Sequence, residues 1–517
     1  MLPMRRSLLF LVLLALLTAC NGGSPGGDAT PPATTGGEEP GTSTPPDTSG
    51  ETTPPPAQVY VRPNVGKLDP NGPEMAAISN GVKVMKGRPA SDPTSWLYQA
   101  NMHGTYDTPA LQAWNTCQHG TFFFLSWHRM YLYYFERILR AASGDTKLAL
   151  PFWDYTDPAQ RAIPASFRTP VGSSNPLYVE ERADGINDGA TLPASATSFS
   201  QAMTFTNFSS ATGTLSFGGR LVPAPIHFGG AFGQLESQPH NIIHVLVGGD
   251  TGWMSDPNLA ARDPIFYFHH ANIDRLWNHW NALGGGRTNP TEENWKTQIF
   301  TFFDENGQAV TMTGQQVVDT AAQLNYRYAP GTGDGPTPEA VSVESLPAAP
   351  FTDTQQQVIA DKPVAARLRG RTAVALKIPV AEPEDAQARP LTLVIEGIKF
   401  GRPGVYYEVY ANLPAGAPPD PKGPNYVGNL AVFGQLADGT SAHAHAGADK
   451  SLSEDATLAY DVTNLVKGLR GQPGFKGDLK LEFVPKSLEP APNKPAPEVA
   501  LTPKHEIRVG RVRLVRE

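Results

Sequence analysis

Two cysteines in 517 residues leave little room for disulfide chemistry. One of them, Cys20, falls at the end of an N-terminal leader, so an exported chain would keep Cys117 alone and carry no disulfide. Basic residues are short as well: 41 Lys and Arg against 49 Asp and Glu give a net charge of −8. That balance implies no basic face of the kind nucleic acid requires. The apolar run Leu8 to Leu17 stops at ten residues, too few to span a bilayer. Histidine is scarce, with 12 in the whole chain, so clustering among them carries information. What is plentiful is proline and glycine, 50 of each, part of it packed into the first 57 residues.

Arg5 and Arg6 precede the apolar run and "TAC" follows it, which reads as a signal peptide over residues 1–20. The paired arginines also fit twin-arginine export of a folded protein. The "LTAC" ending resembles the lipobox of bacterial lipoproteins. That resemblance implies lipidation at Cys20 and an exported, membrane-anchored chain in the cell envelope; an ordinary cleaved signal is the alternative. Multiple acyl chains would hold where a single one would not. Residues 21–57 are Gly, Pro, Ser, Thr and Ala with five acids and no Lys or Arg. Such a composition predicts a disordered tether, holding the folded part on the order of 30 Å from the membrane.

Seven of the histidines fall in two clusters: His103, His119 and His128, then His240, His244, His269 and His270. In "QPHNIIHVLVGG", His240 and His244 stand at i, i+4 on one helix face, where two imidazoles can converge on one ion. Such a pair also arises by chance on surfaces. Pro239 suits the first helical position and Gly248-Gly249 ends the segment. In "DPIFYFHHANIDRLW", Asp263 and Pro264 predict a helix start. Phe266, His270, Asp274 and Trp277 then form one stripe, with His269 turned about 100° away. Asp274 is placed to accept the second N–H of His270 and fix its tautomer, which makes His270 the ligand candidate and His269 a packing residue.

The earlier cluster obeys other geometry. "SWHRMYLYYFERILRAASG" predicts a helix capped by Ser126, with His128, Leu132, Phe135 and Leu139 inward and Gly144 as its stop. His119 then lies on the preceding non-helical "CQHGTFFFL" and needs something besides a helix to hold it; Cys117 is the candidate. His103, in "NMHGTYDTP", completes a third position. Three plus three histidines without a carboxylate among them differ from paired zinc or magnesium sites and from di-iron bundles. Neutral imidazoles suit copper in both oxidation states. Two one-electron ions side by side can deliver the electron pair that dioxygen takes up.

"HGTFFFLSWHRMYLYYFERIL" and "PHNIIH" with "ARDPIFYFHHANIDRLW" closely resemble the two copper-binding signatures of type-3 copper proteins: tyrosinases, catechol oxidases and haemocyanins. The resemblance runs over roughly residues 96–330, and its second half is most similar to plant polyphenol oxidases. It implies that His103, His119 and His128 hold one copper and that His240, His244 and His270 hold the other. Phe124 and Phe266 match aromatics that pack on the ligand rings. Cys117-Gln118-His119 matches a fungal arrangement in which the sulfur is bonded to the imidazole as a thioether; a buried free cysteine is the alternative. The plant disulfides are missing, so plant-specific inferences about the first copper do not carry over. Glu236 matches a glutamate that holds a water near the second copper, or else only caps a loop, and Asn241 follows the first ligand as in many tyrosinases. A phenol has a pKa near ~10, so removing its proton at neutral pH costs roughly 4 kcal/mol, and such a pair would serve as the base.

"NYRYAP" resembles the Tyr-x-Tyr motif that closes the catalytic domain of this family, and a Gly/Pro-rich joint follows. From residue 363, "LTLVIEGIKF", "VYYEVYANL", "YVGNLAVFGQL", "DLKLEFVPK" and "IRVGRVRLV" alternate as strands. The fold expected is mainly α: a helical-bundle catalytic domain over 58–330, a linker over 331–362, and a C-terminal β-sandwich over 363–517. The sandwich resembles the plant domain that covers the copper entrance and keeps the enzyme latent. His443 and His445 in "AHAHAG" either help load copper or sit on a solvated loop.

The implied activity is oxidation of o-diphenols to o-quinones with two copper ions and dioxygen as co-substrate, with monophenol hydroxylation as a possible extension. Substrate stacking near His244 and His270 follows from the resemblance alone. The partner is a small phenol, o-aminophenols included; nucleic acid is not one, and the membrane is contacted only through the lipid anchor. A haemocyanin-like oxygen carrier without turnover is the rival, disfavoured by the anchor and by Glu236 with Asn241. A surface binding module with a decayed copper site is disfavoured by the presence of all six ligands.

Overall fold

The computed structural model describes residues 58–108, 110–211, 215–332, 334, 357–381, 389–400, 404–433, 455–493 and 506–516. Cys20, the tether, most of the joint, His443, His445 and His505 lie outside the described residues.

Five helices frame the first part: α1 (Pro73–Lys86), α2 (Trp96–His103), α3 (Phe124–Ser143), α4 (Ile242–Gly248) and α5 (Ile265–Ala282). α1 opens on a proline and buries Met75, Ile78, Val82 and Met85, a stripe at helical spacing that packs on α3. The Ser95 hydroxyl caps α2 by accepting from the Tyr98 N–H at 3.1 Å. α3 ends at Gly144, whose φ of 76° is a left-handed stop. It begins at Phe124, two residues ahead of the expected cap. Ser126 therefore lies inside the helix and donates back to the Phe123 carbonyl at 3.2 Å. Aromatic packing of Phe122, Phe123 and Phe124, all buried, carries the helix start past the serine. At α5 the Asp263 carboxylate accepts from the Ile265 N–H at 3.1 Å, as the Asp-Pro pair predicts.

Strand β1 (Tyr60–Arg62) pairs in parallel with β2 (Tyr326–Tyr328), so the two ends of the helical part are tied together. Beyond the joint come β3 (Gln357–Leu368), β4 (Thr372–Lys377), β5 (Leu391–Phe400), β6 (Tyr406–Ala411), β7 (Tyr426–Leu430), β8 (Ala456–Asp461), helix α6 (Thr463–Arg470), β9 (Asp478–Lys486) and β10 (Ile507–Arg516). They form two four-stranded antiparallel sheets, ordered β7-β6-β9-β4 and β8-β5-β10-β3. One apolar cluster takes side chains from both sheets, among them Leu376, Leu393, Val409, Leu481 and Val512. β3 begins at Gln357, inside the stretch the sequence suggests as linker. The strand is exposed or half-buried everywhere but Leu368 and its residues do not alternate regularly, which hides it from a periodicity reading.

Helical and β parts belong to one unit, Ala57–Glu517. Their seam combines apolar contacts, such as Leu215 against Val394 and Val515, with polar ones. Ser195 meets the Tyr406 hydroxyl at 2.7 Å and donates to Glu408 at 2.8 Å, while Asn429 donates to the Ser195 carbonyl at 2.9 Å. Among the described residues no helix is long and apolar enough to cross a membrane.

Candidate metal centre

The six expected ligands come together, all of them buried. His103 is the last residue of α2, His128 lies in the second turn of α3, and His270 is on α5. His240 and His244 share a helical run in which Gln238 (φ −151°) breaks the turn just before Pro239. His119 sits on extended chain. The rings of His128 and His270 stack at 4.5 Å, joining one triad to the other, and His119 and His240 lie 5.6 Å apart.

Tautomers follow from the partners of Nδ1. His103 donates to the Pro257 carbonyl at 2.9 Å, His128 to Phe124 at 2.8 Å and His244 to Met254 at 2.7 Å. Carbonyl oxygens only accept, so each Nδ1 carries the hydrogen and each Nε2 presents a lone pair. His240 Nδ1 meets the Asn241 side-chain oxygen at 2.9 Å and His119 Nδ1 meets Glu236 at 3.0 Å. Gly104 makes the first of these contacts possible, because a Cβ there would stand 2.5 Å from the Pro257 carbonyl.

The Nε2 atoms then face one another. His103 and His119 bring theirs to 3.3 Å, and His244 and His270 to 3.2 Å. The Nε2 atoms of His128 and His240 are buried without a hydrogen-bond partner. Lone pairs this close repel, and buried nitrogens without donors are costly, unless a cation lies among them. Burial, the largest cause for every one of the six, lowers their pKa, to about 3 for His128. They stay neutral, the form that ligates a metal. His240, His244, His269 and His270 form one group able to hold an ion, and His103, Cys117 and His119 another. Neither contains a carboxylate, a donor set that fits copper. His269 belongs by distance to the group of His240, His244 and His270; its ring lies against His240 and Tyr155, whereas His270 faces the other triad.

Phe124 stands 4.7 Å from both His128 and His240, and Phe266 4.1 Å from His270 and 4.8 Å from His103. Each therefore wedges between the triads. Cys117 is buried, its Sγ 3.4 Å from His227 Nδ1, and burial followed by the Glu236 charge pushes its thiol up. Glu236 is also fully buried. Both of its oxygens accept from the Gly120 N–H at 3.0 Å, so its contacts lie on the side of His119, in the first triad. Burial pushes its carboxyl up and the Gly120 N–H offsets part of that. The Asn241 amide nitrogen is buried with no partner.

Asp274 requires a correction. Its carboxylate accepts from Arg129 Nε at 2.5 Å, Arg62 at 3.3 Å and the Tyr326 and Tyr328 hydroxyls at 2.6 Å each. It does not reach His270, whose Nδ1 has no partner. The i, i+4 spacing puts the acid on the right stripe, but two arginines and two tyrosines outcompete a neutral imidazole for it. Burial pushes the Asp274 carboxyl up, and these partners together outweigh that and hold it below its usual value.

Phe433, just past β7, is the residue sequence reasoning missed. Its ring stacks on His244 at 4.0 Å and 22° and stands 5.8 Å from His240 and 5.6 Å from His119. In "YVGNLAVFGQL" it passes for the end of a strand. The signal was an apolar triplet continuing beyond the strand into a polar stretch.

The common central domain of tyrosinase matches residues 93–214 and 188–283, and the polyphenol oxidase middle domain matches 289–333. A domain of unknown function (DUF7868) matches 348–517, and a prokaryotic membrane lipoprotein lipid attachment site matches 4–21. A tyrosinase of Hahella sp. is 39% identical over 290 residues, 49% of this chain and 60% of that protein. A chloroplastic polyphenol oxidase of Malus domestica is 29% identical over 405 residues, 70% of this chain and 67% of that one. The solved structure of latent apple tyrosinase shares the fold with a TM-score of 0.63 at 23% identity, covering 90% of this chain and 98% of that one. With its histidines gathered as two triads inside that fold, the chain belongs to the tyrosinase and polyphenol oxidase family.

Proposed function

We propose that the chain is a binuclear copper oxidase that uses dioxygen to oxidise o-diphenols to o-quinones, with hydroxylation of monophenols as a second activity. One observation carries this reading: six neutral imidazoles turn bare Nε2 atoms toward one another inside an aromatic, carboxylate-poor pocket. His103, His119 and His128 would hold one copper, and His240, His244 and His270 the other. Bound there, the pair would supply reversible one-electron redox at two adjacent ions and a Lewis-acid site for a phenolate. Each diphenol gives up two protons and two electrons, so two diphenols and one dioxygen yield two quinones and two waters.

The chain's own residues do the rest. Backbone and side-chain oxygens on Nδ1 fix five of the rings, and Phe124 and Phe266 keep water from between the triads. Glu236 receives the phenol proton, and the Asn241 amide nitrogen, which has no hydrogen-bond partner, helps orient the oxygen that loses it. Cys117 is joined to His119 as a thioether, which fixes the one ligand that no helix carries. Phe433 lies flat on His244, as a phenol ring would, so the β-sandwich shields the site until it moves or is cut. The attachment-site match at residues 4–21 supports an exported lipoprotein held at the cell envelope.

Turnover is the test. The copper-loaded intact chain is assayed with catechol, tyrosine and o-aminophenol, before and after limited proteolysis of the joint. Quinone formation that rises after cleavage is expected. Copper bound at two per chain with no turnover of any of the three, cleaved or not, would instead support an oxygen carrier.

A further inference from the structure

The segment Ile226–Gly229 runs alongside Cys117–His119. The Gln118 side-chain oxygen accepts from the Ile226 N–H at 2.9 Å, and the Gly229 N–H donates to the His119 carbonyl at 2.8 Å. Phe228 and His119 form a parallel bridge, and the Phe228 ring lies 5.1 Å from the imidazole. Glycines permit this approach: a Cβ at Gly120 would stand 2.6 Å from the Gly230 nitrogen, and one at Gly229 would stand 2.7 Å from the Gly120 carbonyl. In this register Phe228 stands opposite His119 and His227 opposite Gln118, and the His227 side chain reaches across to the neighbouring Cys117.

His227 Nδ1 lies 2.8 Å from the Cys117 carbonyl oxygen and 3.4 Å from its sulfur. The carbonyl can only accept, so this nitrogen carries the hydrogen and presents it to both atoms. A cysteine sulfur has three staggered positions about χ1. The contact with His227 selects one of them, and in that position Sγ lies within 4.8 Å of the ligand nitrogens of His119 and His103.

We infer that His227 is a positioning residue that presents the Cys117 sulfur to the His119 ring for formation of the thioether. The inference rests on the cross-link proposed above. A sulfur–carbon bond forms between Sγ and the imidazole, while the S–H and ring C–H bonds break. Two protons and two electrons leave, and dioxygen, the oxidant of the proposed activity, accepts them as hydrogen peroxide. Nothing in this step consumes His227. It raises the fraction of time the sulfur spends facing the ring, an effect of proximity and orientation.

The test follows the bond itself. Copper is added in air to the full chain and to the His227→Ala and His227→Asn variants, and samples are quenched at intervals, denatured and treated with a thiol alkylating reagent. A cross-linked peptide carrying Cys117 and His119 is lighter by two hydrogens and takes up no reagent. We expect the parent chain to cross-link and His227→Ala to do so about tenfold to a hundredfold more slowly, with the same copper content by metal analysis. His227→Asn keeps an amide N–H for the carbonyl and should fall between. Equal rates in all three would overturn the role of His227 and leave the thioether standing. A parent chain that never loses the two hydrogens would overturn the thioether itself and this inference with it. Loss of copper from both variants would make His227 a support of the metal site and overturn its positioning role.

Discussion

The first triad draws its histidines from three kinds of backbone: a helix end, extended chain and a helix interior. The second takes all of its histidines from helical segments. The first consequently depends on contacts from outside its own elements, with Glu236 and the Ile226–Gly229 segment holding His119. The second is held by helix geometry, yet it is the one against which the β-sandwich presses, through Phe433 on His244. One triad is fixed by buttressing and the other is open to competition. Under the proposed function, that division places assembly with the first and substrate access with the second.

The sharpest break in this comparison removes a ligand from each side. His128→Ala and His244→Ala should each reduce copper from two per chain to one and bring catechol oxidation to background, because two ions are needed for a two-electron exchange with dioxygen. Metal analysis beside an oxygen-uptake assay checks this. Residual oxidation by either variant would show that a single triad suffices. Glu236→Gln comes next. If the carboxylate takes a phenol proton, tyrosine hydroxylation should fall about 10²–10⁴-fold while catechol oxidation falls far less. Equal losses with both substrates, accompanied by weaker copper binding, would make Glu236 a strut for His119 alone.

Asp274 sharpens the comparison from the side of stability. Its carboxylate ties α5 to Arg129 of α3, to Arg62 of β1 and to both tyrosines of β2. Asp274→Asn leaves the buried Arg129 guanidinium without its carboxylate and Arg62 with Glu136 alone, and should cost about 3–5 kcal/mol, read as a fall in Tm with the copper ligands untouched. The native carboxyl titrates below the usual aspartate value. Its contribution is therefore complete above the unfolded pKa and is lost as pH falls through the lower folded value. The variant should lack that acid limb. Thermal scans at neutral pH and in acid, below the ordinary aspartate range, separate the two effects, and an unchanged Tm at neutral pH would remove Asp274 as the hub.

What the sequence alone makes legible divides along the same line. His240, His244 and His270 follow helical spacing, and five strands of the sandwich are visible as apolar-rich runs, although β6 is buried at every position instead of alternating. His119 can be placed off the helix, but Glu236 on its Nδ1 and His227 beside Cys117 are separated from it by 108 residues or more, a distance that spacing rules do not span. Asp274 is visible as a residue on the His270 stripe, while its partners are not, because Arg62 lies 212 positions away and Arg129 145. The same holds for Phe433, whose role exists only where two domains meet.

Phe433 carries the smallest of these effects and bears most directly on access. Burying a phenylalanine is worth roughly 1.5–3 kcal/mol and stacking it on an aromatic ring adds about 0.5–1.5 kcal/mol. A phenol that uses the His244 face must first displace that ring, so only the fraction of chains with Phe433 withdrawn can bind substrate. Phe433→Ala removes the competitor while leaving the Ser195, Glu408 and Asn429 contacts of the seam in place. The intact variant should therefore gain on the order of tenfold in kcat/KM for catechol, mostly through KM, since the open fraction scales apparent affinity. Proteolysis of the joint should then add little to the variant while still activating the parent chain. If cleavage activates both equally, the shield is the sandwich as a whole and the ring on His244 is packing; if the variant gains fully without cleavage, one side chain is the gate.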